Sequence, residues 1–168
     1  MTLAEAAVQA SELADKGDER ALAVMRTEWD DEVEAAARSH DHRERVVAYR
    51  AISQFRYRQK IELLRRGLED QSPACRGSAL LSLELLSRDH PSTVNSVRPL
   101  LHTLASADGN EAVRRLAVLC LKNGSPQRET IVLLEGLASS EESDAQLRQA
   151  AANVAQQLKR KQAQTPRR

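Results

Sequence analysis

Apolar residues recur at steps of three and four along most of the chain. Leu22, Met25, Trp29 and Val33 form one such set, followed by Ile61, Leu64 and Leu68, by Ala79, Leu83 and Leu86, and by Val97, Leu100, Leu101 and Leu104. This is the spacing of one face of an α-helix, and no segment reads as a strand. Cap and turn signals cut the pattern into pieces of about 12 to 18 residues, near the usual length of globular helices. Ser72-Pro73 and Ser125-Pro126 each place a capping residue ahead of a proline at the first helical position. Lys16-Gly17-Asp18, His90-Pro91 and Asp108-Gly109-Asn110 mark further breaks. Two leading helices, Thr2 to Asp15 and Asp18 to Arg38, precede the rest. The expected class is all-α.

The pieces also resemble one another. Cys75 to Leu83 aligns with Val113 to Leu121, with Leu147 to Ala155 and, more weakly, with Glu44 to Ile52. Each copy carries an Arg, an Ala three positions on and usually a large aliphatic four further. The arginines are Arg45, Arg76, Arg114 and Arg148, spaced by 31, 38 and 34 residues. A period in this range signals stacked helical repeats. The stretches ahead repeat as well: Ile61 to Leu68 resembles Val97 to Leu104 and Ile131 to Leu137. An acid falls six residues before three of the arginines, as Asp70, Asp108 and Glu142. The first copy departs from the pattern, with Ser39 in place of the acid and Glu44 at a normally apolar position.

With these features, residues Val33 to Leu158 resemble the HEAT-repeat family. That family stacks antiparallel helix pairs, with an Asp in the turn and an Arg on the second helix. The resemblance implies a right-handed α-solenoid of about four helix pairs over residues 33–158, with an N-terminal helical cap over 1–32. Residues 1–158 would form one domain, followed by a basic, mostly mobile tail over 159–168. Pro99 would kink a first helix. Lys159 to Lys161 would finish the last helix, where cations favour its negative end.

Composition supports the helices. Ala and Leu supply 47 of the 168 residues, and only one Trp, one Phe and two Tyr occur. Such a balance disfavours β-sandwiches and barrels and suits helices. Charge is nearly balanced at +1, but the last ten residues hold five cations and no acid. The body is therefore mildly acidic, and a strongly basic nucleic-acid binder is not the default. Cys75 and Cys120 match no metal or redox spacing and read as buried side chains. No apolar run reaches the roughly 18 residues of a membrane span, and no secretory signal opens the chain, so a cytoplasmic location without membrane association is expected.

Candidate chemistry is sparse. The Asp–Arg pairs read as a structural ladder, each guanidinium bonding turn carbonyls and the acid of its own or a neighbouring repeat. Ser39-His40-Asp41-His42-Arg43-Glu44 is the only metal-like cluster and reads as an ordinary polar turn. Gly67 and Gly136 occupy matching repeat positions, which suggests close helix approach. No nucleophile elbow, phosphate loop or HExxH occurs, so no enzyme activity, metal or cofactor is expected. Arg43, Arg50, Arg56, Arg58, Lys60, Arg65 and Arg66, interleaved with Tyr49, Phe55 and Tyr57, form a candidate nucleic-acid surface.

A protein-binding strip is the favoured site. Residues four and five after each Arg lie off the core set: Tyr49 and Arg50, Leu80 and Leu81, Val118 and Leu119, Ala152 and Asn153. In the resembled family the second helices line the concave face. The resemblance thus implies an apolar strip of Tyr49, Leu80, Leu81, Val118 and Leu119, flanked by Arg50, Glu84, Arg115 and Lys122. The expected function is a non-enzymatic scaffold or adaptor that takes a partner segment there. A nucleic-acid binder and a regulatory subunit are the alternatives, and the oligomeric state stays open.

Overall fold

A computed structural model describes residues 1–165 of the chain. These residues hold ten helices and no strand. In order they are α1 (Leu3–Asp15), α2 (Glu19–Ala37), α3 (His42–Gln54), α4 (Ile61–Leu68), α5 (Pro73–Ser87), α6 (Pro91–Asn95), α7 (Arg98–Ala107), α8 (Glu111–Leu121), α9 (Arg128–Ser139) and α10 (Ala145–Gln164). No described helix is long and apolar enough to cross a membrane. The chain divides into two compact units, Met1–Leu86 and a second beginning at Ser87.

In the first unit, α1 opens with a capping box. Thr2 accepts the Glu5 N–H, and the Glu5 carboxylate accepts the Thr2 N–H at 2.7 Å. Asp18 caps α2 through the Ala21 N–H. Helix α1 packs on α2 and α3, and α2 packs on α3. Leu22, Met25 and Val33 are buried along α2, as their spacing predicts. Helix α5 is tied to α3 by the Ser82 hydroxyl, which donates to the Tyr49 carbonyl, and by Cys75 Sγ, 3.4 Å from the His42 carbonyl.

In the second unit, α7 pairs with α8 and α9 with α10. The pairs are layered, α7 beside α9 and α8 beside α10. Layering of like on like lets one apolar stripe per helix serve both its own pair and the next. Leu101, Leu104, Val113, Ala117, Leu121, Leu134, Leu147, Ala151, Val154 and Leu158 make this core.

Several boundaries differ from the sequence expectation. The first helix of one expected pair is split into α6 and α7, so Pro99 stands in the first turn of α7 and kinks nothing. Proline is tolerated there because the missing N–H has no acceptor anyway. Helix α9 starts at Arg128 behind Gln127, two residues beyond the Ser125-Pro126 signal. The Ser125 hydroxyl, the group that would cap, instead accepts from the Asn95 amide at 2.9 Å. Helix α10 continues through Gln164, so the tail begins later than expected; Pro166, Arg167 and Arg168 lie outside the described residues.

Candidate functional site

Each repeated Arg stands four residues after the residue that precedes its helix. Asp41, Asn110 and Asp144 cap α3, α8 and α10 by accepting the N–H of Arg43, Val113 and Leu147 at 2.9, 3.0 and 2.6 Å. Two positions earlier, a short acceptor closes the turn. Asp70 accepts the Ser72 N–H and Asp108 the Asn110 N–H, both at 2.9 Å. Ser39 does the same for Asp41 at 3.1 Å, which explains how the first copy dispenses with an acid. In the last turn Ser140, not Glu142, is the acceptor, taking the Glu142 N–H at 3.2 Å.

The arginines then use these turns. Arg45 Nη1 donates to the Ser39 and His40 carbonyls at 3.0 and 3.1 Å. Its Nε and Nη2 grip both oxygens of Asp70, in the following turn, at 2.9 and 3.1 Å. Burial pushes the Asp70 carboxyl up, but the Arg45 fork and the Ser72 N–H together hold it below its ordinary value. Arg76 donates to the Asp70 and Gln71 carbonyls, and Arg114 to the Ala105 carbonyl. Arg45 and Arg76 thus bond turn carbonyls as the pattern implies, and the Arg45 fork reaches an acid as well, whereas Arg114 bonds the last turn of α7.

The expected partner strip separates into two classes. Tyr49, Leu80 and Val118 are buried, with 3, 0 and 0 % of their surface exposed, and so cannot meet a partner. Tyr49 lies against Gly67, where a Cβ would fall 3.0 Å from the ring and 2.8 Å from the Ala79 methyl. Arg50, Leu81 and Leu119 stay accessible, Leu81 at 40 %. The geometry accounts for the split. Consecutive helix residues point about 100° apart, so positions four and five after the Arg fall on opposite rims of the core stripe. The rim at position four is covered in Tyr49, Leu80 and Val118 and open in Ala152.

The flanking charges are partly engaged. Arg50 Nη1 donates to the Ser53 hydroxyl at 3.1 Å, and Arg115 lies 3.7 Å from Asp144. The Lys122 carbonyl accepts from Lys161. Glu84 stands three residues after Leu81 and Lys122 three after Leu119, so helical spacing puts each beside its leucine.

The aromatic–arginine surface does not assemble as expected. Tyr49, Phe55 and Tyr57 are all buried, so none offers a face for stacking bases. Lys60 is 9 % exposed and held by Asp30 and Glu34, each at 2.8 Å, with its ammonium 5.1 Å from the centre of the Tyr57 ring. Asp30 and Glu34 stand four apart on α2, a pairing visible in the sequence as two acids on one helix face. Arg43, Arg58, Arg65 and Arg66 are exposed, and Arg43 forks both oxygens of its neighbour Asp41 at 3.2 and 3.1 Å. Asp41 thus serves as cap and ion-pair partner within its polar turn. Gly136 corrects the other glycine expectation: a Cβ there meets nothing within 4 Å, whereas the matching Gly67 is enclosed.

No protein-family model matches the chain, and no curated protein is similar to it.

Proposed function

We propose that the helix pairs are HEAT-like α-solenoid repeats and that the chain is a non-enzymatic protein-interaction module. The second helices carry the contact surface. The observation behind this reading is that α5 and α8 keep an accessible leucine at the same repeat position, Leu81 and Leu119, five residues after Arg76 and Arg114. Leu81 is exposed and Leu119 half-buried, and an accessible aliphatic at the rim of a buried stripe suits an apolar anchor of a partner segment. Glu84 beside Leu81, and Arg115 and Lys122 beside Leu119, supply a charged rim that sets orientation.

A photo-crosslinking residue at position 81 or 119 tests this. Each position is expected to trap a protein from native lysate, and Leu81→Glu or Leu119→Glu should abolish the capture made at its own unit. Equal trapping from Val8 or Val132, which are exposed on α1 and α9, would overturn the reading.

A further inference from the structure

A pocket of about 310 Å³ opens in the first unit at the end of α1, the start of α2 and the segment joining α3 to α4. Arg26, Arg56 and Arg58 line it together with Gly17 and Glu19. The joining segment is anchored on both sides of Arg56. Phe55 and Tyr57 are buried, the Tyr57 hydroxyl donates to the Arg26 carbonyl, and Arg26 Nη1 donates to the Phe55 carbonyl at 3.1 Å.

Arg56 itself has φ 58°, the one positive φ outside glycine among the described residues. Its N–H bonds the Ser53 carbonyl at 3.0 Å and the Tyr57 N–H bonds the Ile52 carbonyl at 2.9 Å. This is the left-handed helix stop that usually carries glycine, because a Cβ is disfavoured there. The strained arginine aims its guanidinium at the Ser53 carbonyl and at Asp15, 3.7 Å away, while Arg26 pairs with Glu19. Asp15 and Glu19 are 76 and 73 % exposed, so the carboxylates paired with Arg56 and Arg26 stand on the solvent side. Such exposed pairs exchange readily for a better anion. A strained backbone that projects a cation to a pocket rim is the arrangement expected of a ligand site.

We propose that Arg26, Arg56 and Arg58 bind a phosphate monoester, whose oxygens displace Glu19 and Asp15. A phosphoryl group brings two charges and three acceptor oxygens to three guanidinium groups, whereas one carboxylate fills a single fork. The cavity volume suits a small phosphorylated molecule entering phosphoryl end first.

The test is titration of the full chain with inorganic phosphate at constant ionic strength, followed by amide NMR shifts. Saturable changes confined to residues 15–19, 53–58 and the α2 turn around Arg26 are expected. Arg56→Gly should weaken them about tenfold, the effect of losing one charged hydrogen bond. Without phosphate, Arg56→Gly should be at least as stable as the parent, since glycine relieves the strain. Arg58→Gln should also weaken binding, and Arg43→Gln, outside the pocket, should leave it unchanged. Absence of saturation, equal binding in Arg56→Gly, or equal loss in Arg43→Gln would overturn the proposal. Glycerol phosphate in the same titration separates the sources: tighter binding than inorganic phosphate assigns a phosphorylated small molecule, and equal binding assigns free phosphate.

Discussion

Two arginines largely withdrawn from water, one in each unit, are satisfied differently. In the first, Arg45 meets a carboxylate: its side chain is 19 % exposed and Asp70 only 7 %. In the second, Arg98 is 6 % exposed and makes no ion pair among the described residues. Its guanidinium donates to the Thr130 hydroxyl and the Ser125 carbonyl, each at 2.9 Å, and to Asn95 Oδ1. The consequences run in opposite directions. Hydrogen bonding to Asp70 raises the Arg45 affinity for its proton, whereas burial lowers that of Arg98, with the Glu129 charge opposing in part. One site buries a neutral pair, the other a net charge supported by dipoles. Dipoles suffice where both terminal nitrogens find acceptors, but they do not replace an anion once one has been built in.

The largest expected effect comes from making the first site resemble the second. Asp70→Asn keeps an oxygen for the Ser72 N–H and for Arg45 while removing the charge. Urea unfolding should show a loss of about 3 kcal/mol, the scale for breaking a buried pair from one side. A loss under about 1 kcal/mol would mean that neutral acceptors serve Arg45 as well as they serve Arg98, and the contrast would collapse.

Arg98→Met probes the other side with a smaller effect. Thr130 keeps the His102 ring nitrogen at 2.9 Å, and Asn95 keeps both its bonds to Ser125. Only the Ser125 carbonyl loses its guanidinium donor, and the cost of desolvating a cation disappears. Stability should stay within about 1 kcal/mol of the parent. A loss comparable to that of Asp70→Asn would show that the second unit needs the charge itself.

Much of this was legible in the sequence, and the rest has identifiable causes. Helix existence, the two leading helices and the turn arginines follow from local periodicity and cap chemistry, which neighbouring residues decide. Ser39 departs from the pattern in charge alone; the turn requires a short acceptor, and a hydroxyl supplies one. Gly67 and Gly136 are equivalent in sequence and opposite in the fold, because Tyr49 and Ala79 crowd only the first. The burial of Tyr49, Leu80 and Val118 depends on which rim of the stripe a neighbouring helix covers, and periodicity along one helix carries no such information. Arg98 gave no signal at all: it falls outside the repeated pattern, and its acceptors come from residues 27 to 32 positions further on, with Asn95 beside it.

The smallest expected effect is a difference in pH response between the units. His102 lies beside Arg98, and its affinity for a proton is lowered, first by burial and then by the Arg98 charge, with Glu129 opposing. The unfolded chain therefore takes up this proton at higher pH than the folded one. The stabilising contribution is complete above the ordinary histidine value of about 6.5 and is lost as pH falls below it. Asp70 obeys the same sign in a lower window. Its folded value is depressed, so its contribution is complete above about 3.9 and is lost only in stronger acid. Amide exchange, corrected for intrinsic rates, should show protection in α7 and α9 declining between pH 7 and 5 while protection in α3 holds. His102→Gln, which keeps a polar partner for Thr130, should flatten the decline. A parallel decline in α3, or none in α7, would place the acid response elsewhere and remove this distinction between the two arginine sites.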